Sequence, residues 1–99
     1  MKRVVFSRQA KLDLQSIADY IAVDNPSRAL TFVEEIEARC LALGDFPFSV
    51  RPFPELGPNA HILPHGNYVI LYRALAMEIS IERVVHGARD ILAIISDED

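Results

Sequence analysis

Four prolines, Pro47, Pro52, Pro54 and Pro58, fall within the stretch "DFPFSVRPFPELGPNA" and divide the chain into two halves with different hydrophobic periods. Proline has no N–H to give and a fixed φ, so neither a helix nor a central strand can run through such a segment. It reads as a wandering surface connection, with Phe46, Phe48 and Phe53 fastening it to the core. Before it, from Arg8 to about Val23, the apolar residues Ala10, Leu14, Ile17, Ala18 and Ile21 recur at three and four positions. Lys11, Asp13, Gln15 and Asp19 take the other side. Ser7 is a good cap for this helix, and the preceding "RVVFS" is a short β-rich run. A second helix starts at "DNPSRA", where Asn25 can cap and Pro26 suits the first helical position. Its stripe is Ala29, Phe32, Val33, Ile36, Cys40 and Leu43, and Gly44 is a natural terminator. After the prolines the period falls to two: "HIL", the turn "PHGN", "YVILYR", the link "ALAM" and "EISIERVVH" read as a three-stranded antiparallel meander.

A helical hairpin with one apolar stripe and a sheet with one apolar face solve each other's burial, so the expected fold class is α+β. An N-terminal strand and an antiparallel helical hairpin pack on a small antiparallel β-sheet in two layers, and the first strand joins the sheet. The expected core is Leu14, Ile17, Phe32, Val33, Ile36, Val69, Leu71, Ile79 and Ile81. Ninety-nine residues suit a single domain, 1–99, and 51% hydrophobic residues with a mean hydropathy of +0.16 exclude a disordered chain. No apolar run approaches the ~20 residues that a membrane helix needs, and the apolar stretch Val4–Phe6 is too short for a signal peptide. A cytoplasmic protein without a membrane partner is expected.

The charge balance bears on the partner. Residues 1–49 carry six basic and seven acidic groups, residues 50–96 four and four, and Asp97, Glu98 and Asp99 close the sequence. Proteins that hold nucleic acid through many phosphates carry a basic excess, so no direct nucleic-acid binding is expected. Cys40 is alone and lies in an apolar stripe, which fits a core residue better than a nucleophile. His61, His65 and His86 lie in three separate settings with no cysteine pair beside them, so neither metal nor cofactor is expected.

The order of "DLQSIADYIAVDNPSRA", "RPFPELG", "LPHGNYVILYR" and "RVVHGARDI" resembles the ParE branch of the RelE/ParE toxin superfamily over nearly the whole chain. The resemblance implies the toxin of a type II toxin–antitoxin system. Such a toxin is held inactive by a ParD-like antitoxin in a hetero-oligomer and has DNA gyrase as its target. The alternative within the superfamily is a RelE-like ribosome-dependent mRNA endonuclease. Its chemistry needs a proton donor or acceptor among several cations, to stabilise a crowded phosphate. Here Arg51 to Leu63 contains no lysine, Val69 follows Tyr68 where the RelE pattern places an arginine, and His61 stands where many relatives have arginine.

The cluster "RVVHGARDI" carries most of the remaining candidates. On a strand, Arg83 and Val85 face one way and Val84 and His86 the other, so the polar groups do not converge on one dense site. Gly87 suits a positive φ where the strand turns away, and Asp90 can cap a last helical turn or pair with Arg83 or Arg89. The expected binding residues are Tyr72, Arg73, Arg83, His86 and Arg89, with no catalytic residue among them. Beyond them Ile91, Leu92, Ile94 and Ile95 need a cover, from the sheet's own edge, the antitoxin or the target.

Overall fold

A computed structural model of the chain describes residues 2–46, 51–87 and 90–91. The elements run β1 (Arg3–Phe6), α1 (Arg8–Ala22), α2 (Pro26–Ala42), a single 3₁₀ turn (Pro54–Leu56), β2 (Ala60–His65), β3 (Tyr68–Ala74) and β4 (Glu78–His86). Both helix starts use the expected caps. The Ser7 hydroxyl accepts from Ala10 N at 3.0 Å, the Asn25 side chain accepts from Arg28 N at 3.1 Å, and Pro26 opens α2. Each satisfies an amide that the helix itself leaves open. The β2–β3 hairpin turns on Gly66 and Asn67, with Gly66 at φ 60°, the left-handed half that a two-residue hairpin asks of its first central residue.

The sheet order is β1-β4-β3-β2. The pairs β2–β3 and β3–β4 are antiparallel as expected, but β1 runs parallel to β4, Arg3 opposite Glu78 and Phe6 opposite Ile81, so the sheet is mixed. A parallel pair needs a long connection, and here it includes both helices and the other two strands. β2 is an edge strand, which is where Pro64 can sit without breaking a ladder on both sides.

One face of the sheet packs on the helices. Ala10, Leu14, Ile17, Phe32, Ile36 and Cys40 meet Leu63, Ile70, Tyr72, Ile79, Ile81 and Val84. The other face is apolar too. Ala60, Leu71 and Val85, with Val69 and Ile62 beside them, are covered by Leu56, Phe53 and Ile91. This corrects two expectations: the sheet has two apolar faces, and Val69 and Leu71 belong to the outer one. In "YVILY" every residue is apolar or aromatic, so a period of two cannot say which alternate set faces the helices; Ile70 and Tyr72 do. Val33 is only half-buried, at the margin of the α2 stripe. Phe46 is 67% exposed and fastens nothing, whereas Phe53 packs on the outer face. Phe48 lies outside the described residues, as do Leu92, Ile94 and Ile95. Among the described residues no helix is long and apolar enough to cross a membrane.

Two glycines hold their positions for reasons other than the expected ones. Neither Gly44 nor Gly87 has a positive φ. A Cβ on Gly44 would lie 2.7 Å from the carbonyl oxygen of Lys2, whose N–H donates to Gly44 O at 2.9 Å. A Cβ on Gly87 would lie 3.3 Å from Val69 Cγ1, and Gly87 N donates to Asn67 O at 2.9 Å. Close packing of chain on chain, not a left-handed backbone, selects glycine at Gly44, and at Gly87 it leaves only tight room against the Val69 methyl.

Candidate partner-binding site

The site grows from a break in the regularity of β4. Tyr72 pairs with Ile81 but Leu71 with Arg83, so Glu82 is an extra residue, a β-bulge. Bulges bend a strand and re-aim its side chains. The start of α1 clasps the bulge: Ser7 N donates to Ile81 O and the Ser7 hydroxyl to Glu82 O, both at 2.9 Å. Nearly two turns further along α1, Asp13 accepts four hydrogen bonds, from Arg83 Nε (2.9 Å), Arg83 Nη2 (3.2 Å), Val84 N (2.9 Å) and Gln9 Nε2 (3.0 Å). Asp13 is only 9% exposed, so it is no solvent-side residue as its polarity suggested. A signal was present: Ala10, Asp13, Leu14 and Ile17 have the i, i+3, i+4, i+7 spacing of a buried stripe. The hydrogen bonds to Asp13 hold the Arg83 guanidinium above the usual arginine range, with the charges of Asp13 and Asp90 adding to the effect.

Arg73 is the second fixed cation. Its Nε lies 3.1 Å from both Glu82 carboxylate oxygens, Nη1 donates to Pro58 O at 2.9 Å and Nη2 to Leu56 O at 2.5 Å. It ties the bulge to the proline-rich segment, which approaches because Gly57 (φ 104°) has no Cβ; one there would lie 3.1 Å from Arg73 Nη1. Between Leu56, Leu71, Arg73, Glu82 and Arg83 the outer sheet face holds a shallow pocket of about 240 Å³.

On the helix side a larger cleft of about 370 Å³ opens between α1 and the tip of the β2–β3 hairpin. Asp13, Ser16, Ile17 and Tyr20 line it from α1, Asn67 and Tyr68 from the hairpin, and Arg83–His86 and Asp90 from the end of β4. The His86 ring meets Tyr68 edge to face at 5.7 Å, and Tyr68 in turn meets Phe32 at 5.5 Å. Asp90 turns back so that its carboxylate accepts from His86 N at 3.4 Å, a capping contact at the end of the strand.

The four expected binding residues that the structure describes divide between these two hollows. Arg83 and His86 line the helix-side cleft, Arg83 reaches the outer pocket as well, and Arg73 belongs to the outer pocket alone. Tyr72 borders the outer pocket beside Arg73 and Arg83 but is only 1% exposed, its ring stacked on His61 at 5.1 Å, and burial pushes its phenol up to about 12. Arg89 lies outside the described residues. Sequence reasoning missed Asp13, Tyr20, Asn67 and Glu82. The thiol of Cys40 is buried and pushed up to about 12 by desolvation, which removes it as a nucleophile. Among the described residues no group of three or more His, Cys, Asp or Glu could hold a metal ion. Two arginines each locked to a carboxylate, a histidine packed on a tyrosine, and two open hollows make an arrangement suited to holding a partner.

Comparison with known proteins bears on which partner. A family model described as "ParE toxin of type II toxin-antitoxin system, parDE" matches residues 4–91. Among solved structures, the chromosomal ParDE toxin–antitoxin system from P. aeruginosa contains a chain similar to this one, with a TM-score of 0.75 and 25% identity. The match covers 87% of this chain and 96% of that one. No curated protein resembles the sequence closely enough to count as a relative.

Proposed function

The chain belongs to the ParE toxin family of type II toxin–antitoxin systems, and from that premise we propose that it arrests growth in the cytoplasm by binding DNA gyrase. A ParD-like antitoxin, whose disordered arm orders on its surface, neutralises it. The observation that supports binding over cutting is the commitment of the cations. Arg83 is held two-pronged by Asp13, Arg73 by Glu82 and two carbonyls, and the segment from Arg51 to Leu63 adds no lysine. An RNA-cleaving site needs cations that can turn to a phosphate as charge develops. Freeing either arginine here strands a carboxylate. His86, the expected proton donor beside Arg83, is packed against Tyr68.

The test induces the chain without an antitoxin and follows DNA supercoiling, the DNA-damage response and mRNA integrity in the same cells, for wild type and His86→Gln. Gyrase inhibition predicts lost supercoiling, intact mRNA and toxicity that largely survives the substitution. General acid–base catalysis typically contributes ~10²–10⁴-fold, so a nuclease relying on His86 loses nearly all toxicity with it. Codon-positioned mRNA cuts by wild type that vanish in His86→Gln reject the gyrase reading.

A further inference from the structure

The two edges of the sheet are finished differently. At β2 the outer backbone groups are engaged: Phe53 N donates to Ala60 O at 2.8 Å, Ile62 N donates to Arg51 O at 3.1 Å, and Pro64 has no N–H to offer. Proteins cover or blunt an edge in such ways because an open one invites another strand. β1 lacks this finish. Ser7 N donates to Ile81 O, and the bonds of a parallel pair step along the strand by two residues, so the odd-numbered residues of β1 turn their backbone groups to β4. The N–H and C=O of Val4 and Phe6 therefore point away from the sheet, and among the described residues they have no partner. Lys2, next on the same side, donates its N–H to Gly44 O, which closes the edge at that end.

A second copy of the chain suits this opening poorly. The antiparallel register of two β1 strands that engages both Val4 and Phe6 also sets Lys2 of each copy opposite Arg8 of the other, and like charges directly opposite oppose pairing. A strand from another chain escapes that repulsion, and its side chains are set by what it lies beside. Val4 and Phe6 are half-buried against the helix-side core, so residues placed beside them gain by being apolar. The run Lys2–Arg8 carries three cations and no acid. Glu78 answers Arg3 at 3.3 Å, Asp45 follows Gly44 at the Lys2 end, and Glu82 is held by Arg73. Arg8 stays exposed, with no partner among the described residues.

We infer that the open side of β1 receives one extended segment of the partner's peptide arm as a further strand of the sheet, apolar beside Val4 and Phe6 and acidic beside Arg8. The inference rests on the reading of the chain as an antitoxin-bound toxin, and it adds where the arm lies and in what conformation. Main-chain bonds to Val4 and Phe6 hold it, and the side chains give it preference.

The test follows hydrogen exchange at single amides of the isotope-labelled full chain. The chain is measured alone, with the neighbouring-gene antitoxin, and with two blocked hexapeptides, Glu-Thr-Val-Thr-Val-Glu and its lysine-ended counterpart. In the chain alone the Val5 amide is expected to exchange slowly and those of Val4 and Phe6 fast. The antitoxin should slow both by at least about tenfold, and the glutamate-ended peptide at millimolar concentration should slow them more than the lysine-ended one does. Val4→Pro removes one outward N–H on the side where no strand lies, a place where an edge strand tolerates proline. It should weaken antitoxin binding roughly two- to tenfold, the worth of one main-chain hydrogen bond, with thermal unfolding as the check on its fold. Arg8→Glu changes an exposed side chain at the first helical position, where an acid suits the helix, and should weaken binding as well. Val4 and Phe6 already slow in the chain alone, or slowed as its own concentration rises, overturn the inference, as does unchanged affinity in both variants. Antitoxin bound with both amides still fast removes the edge and leaves the antitoxin reading standing. Val4 and Phe6 slowed by the glutamate-ended peptide, where no antitoxin binds the chain, support the edge and remove the antitoxin reading.

Discussion

Asp13 occupies a core position of α1 and is a carboxylate, so its worth lies in what it keeps paired. Replacing it by alanine leaves Arg83 without its partner and Val84 N without an acceptor. A buried polar group stranded in this way costs ~1–3 kcal/mol, and since the Arg83 side chain is 36% exposed and water can reach it, a loss of about 2 kcal/mol in urea unfolding is expected for Asp13→Ala. Adding Arg83→Ala should recover part of that loss; a double variant as unstable as the sum of the singles shows the two are not coupled. The glycines give a second comparison at this scale. Gly44→Ala drives a Cβ to 2.7 Å from backbone, which must move, whereas Gly66→Ala meets nothing nearer than 3.8 Å but pays for φ 60° with roughly 1–2 kcal/mol. Gly44→Ala is expected to be the more damaging of the two in thermal unfolding, and the reverse order refutes the close-packing account. Sequence showed that these glycines mattered but not why, because contact with Lys2 or Val69 is made by residues far away in the chain. Asp13 was legible from its spacing alone, had polarity not assigned it to the solvent.

At the scale of elements, caps and helix stripes were readable because they depend on residues three or four apart. The bulge at Glu82 was not, because nothing within "SIERVV" sets a register that is decided by β3 and Ser7. Nor was the second apolar face, since a strand apolar at every position carries no period. Ile36 lies wholly within the helix–sheet core, so Ile36→Ala should cost about 3 kcal/mol and Ile36→Asp should abolish folding; a soluble, cooperatively unfolding Ile36→Asp contradicts this packing. Between α2 and the β2–β3 hairpin, Arg39 Nη1 donates to His65 Nδ1 at 3.2 Å, which leaves Nε2 as the nitrogen that bears hydrogen toward Glu35 at 3.2 Å. Glu35 is held below the usual glutamate range by its hydrogen bond from Arg28, with His65 adding to it. A carboxylate with a depressed pKa stabilises the fold above its unfolded pKa and ceases to as pH falls through the folded value. The acid limb of the stability curve should therefore be shallower in Glu35→Gln, though only slightly for an exposed pair, and superimposable limbs would falsify a role for this contact.

For the whole molecule, the decisive quantity is the surface that a partner can order itself upon. An arm that folds on the toxin adds secondary structure that neither chain has alone. Circular dichroism of the toxin mixed with its neighbouring-gene antitoxin is expected to exceed the sum of the separate spectra, and a spectrum equal to that sum opposes coupled folding. The parallel seam between β1 and β4 has a separate consequence, in time. Arg3 meets Glu78, 75 positions further along the chain, and among the described residues β4 is the one strand beside β1. Loop closure over such a span comes late, because the entropy is lost before the contact can reward it. A ribosome adding about 5–20 residues per second needs several seconds to travel from one partner to the other. Even at the end of that interval the nascent chain has both helical segments but no closed sheet, and still lacks Arg83 and His86. Any activity that depends on the finished surface begins only after the last strand has emerged, so a message broken or abandoned before that point yields a harmless fragment.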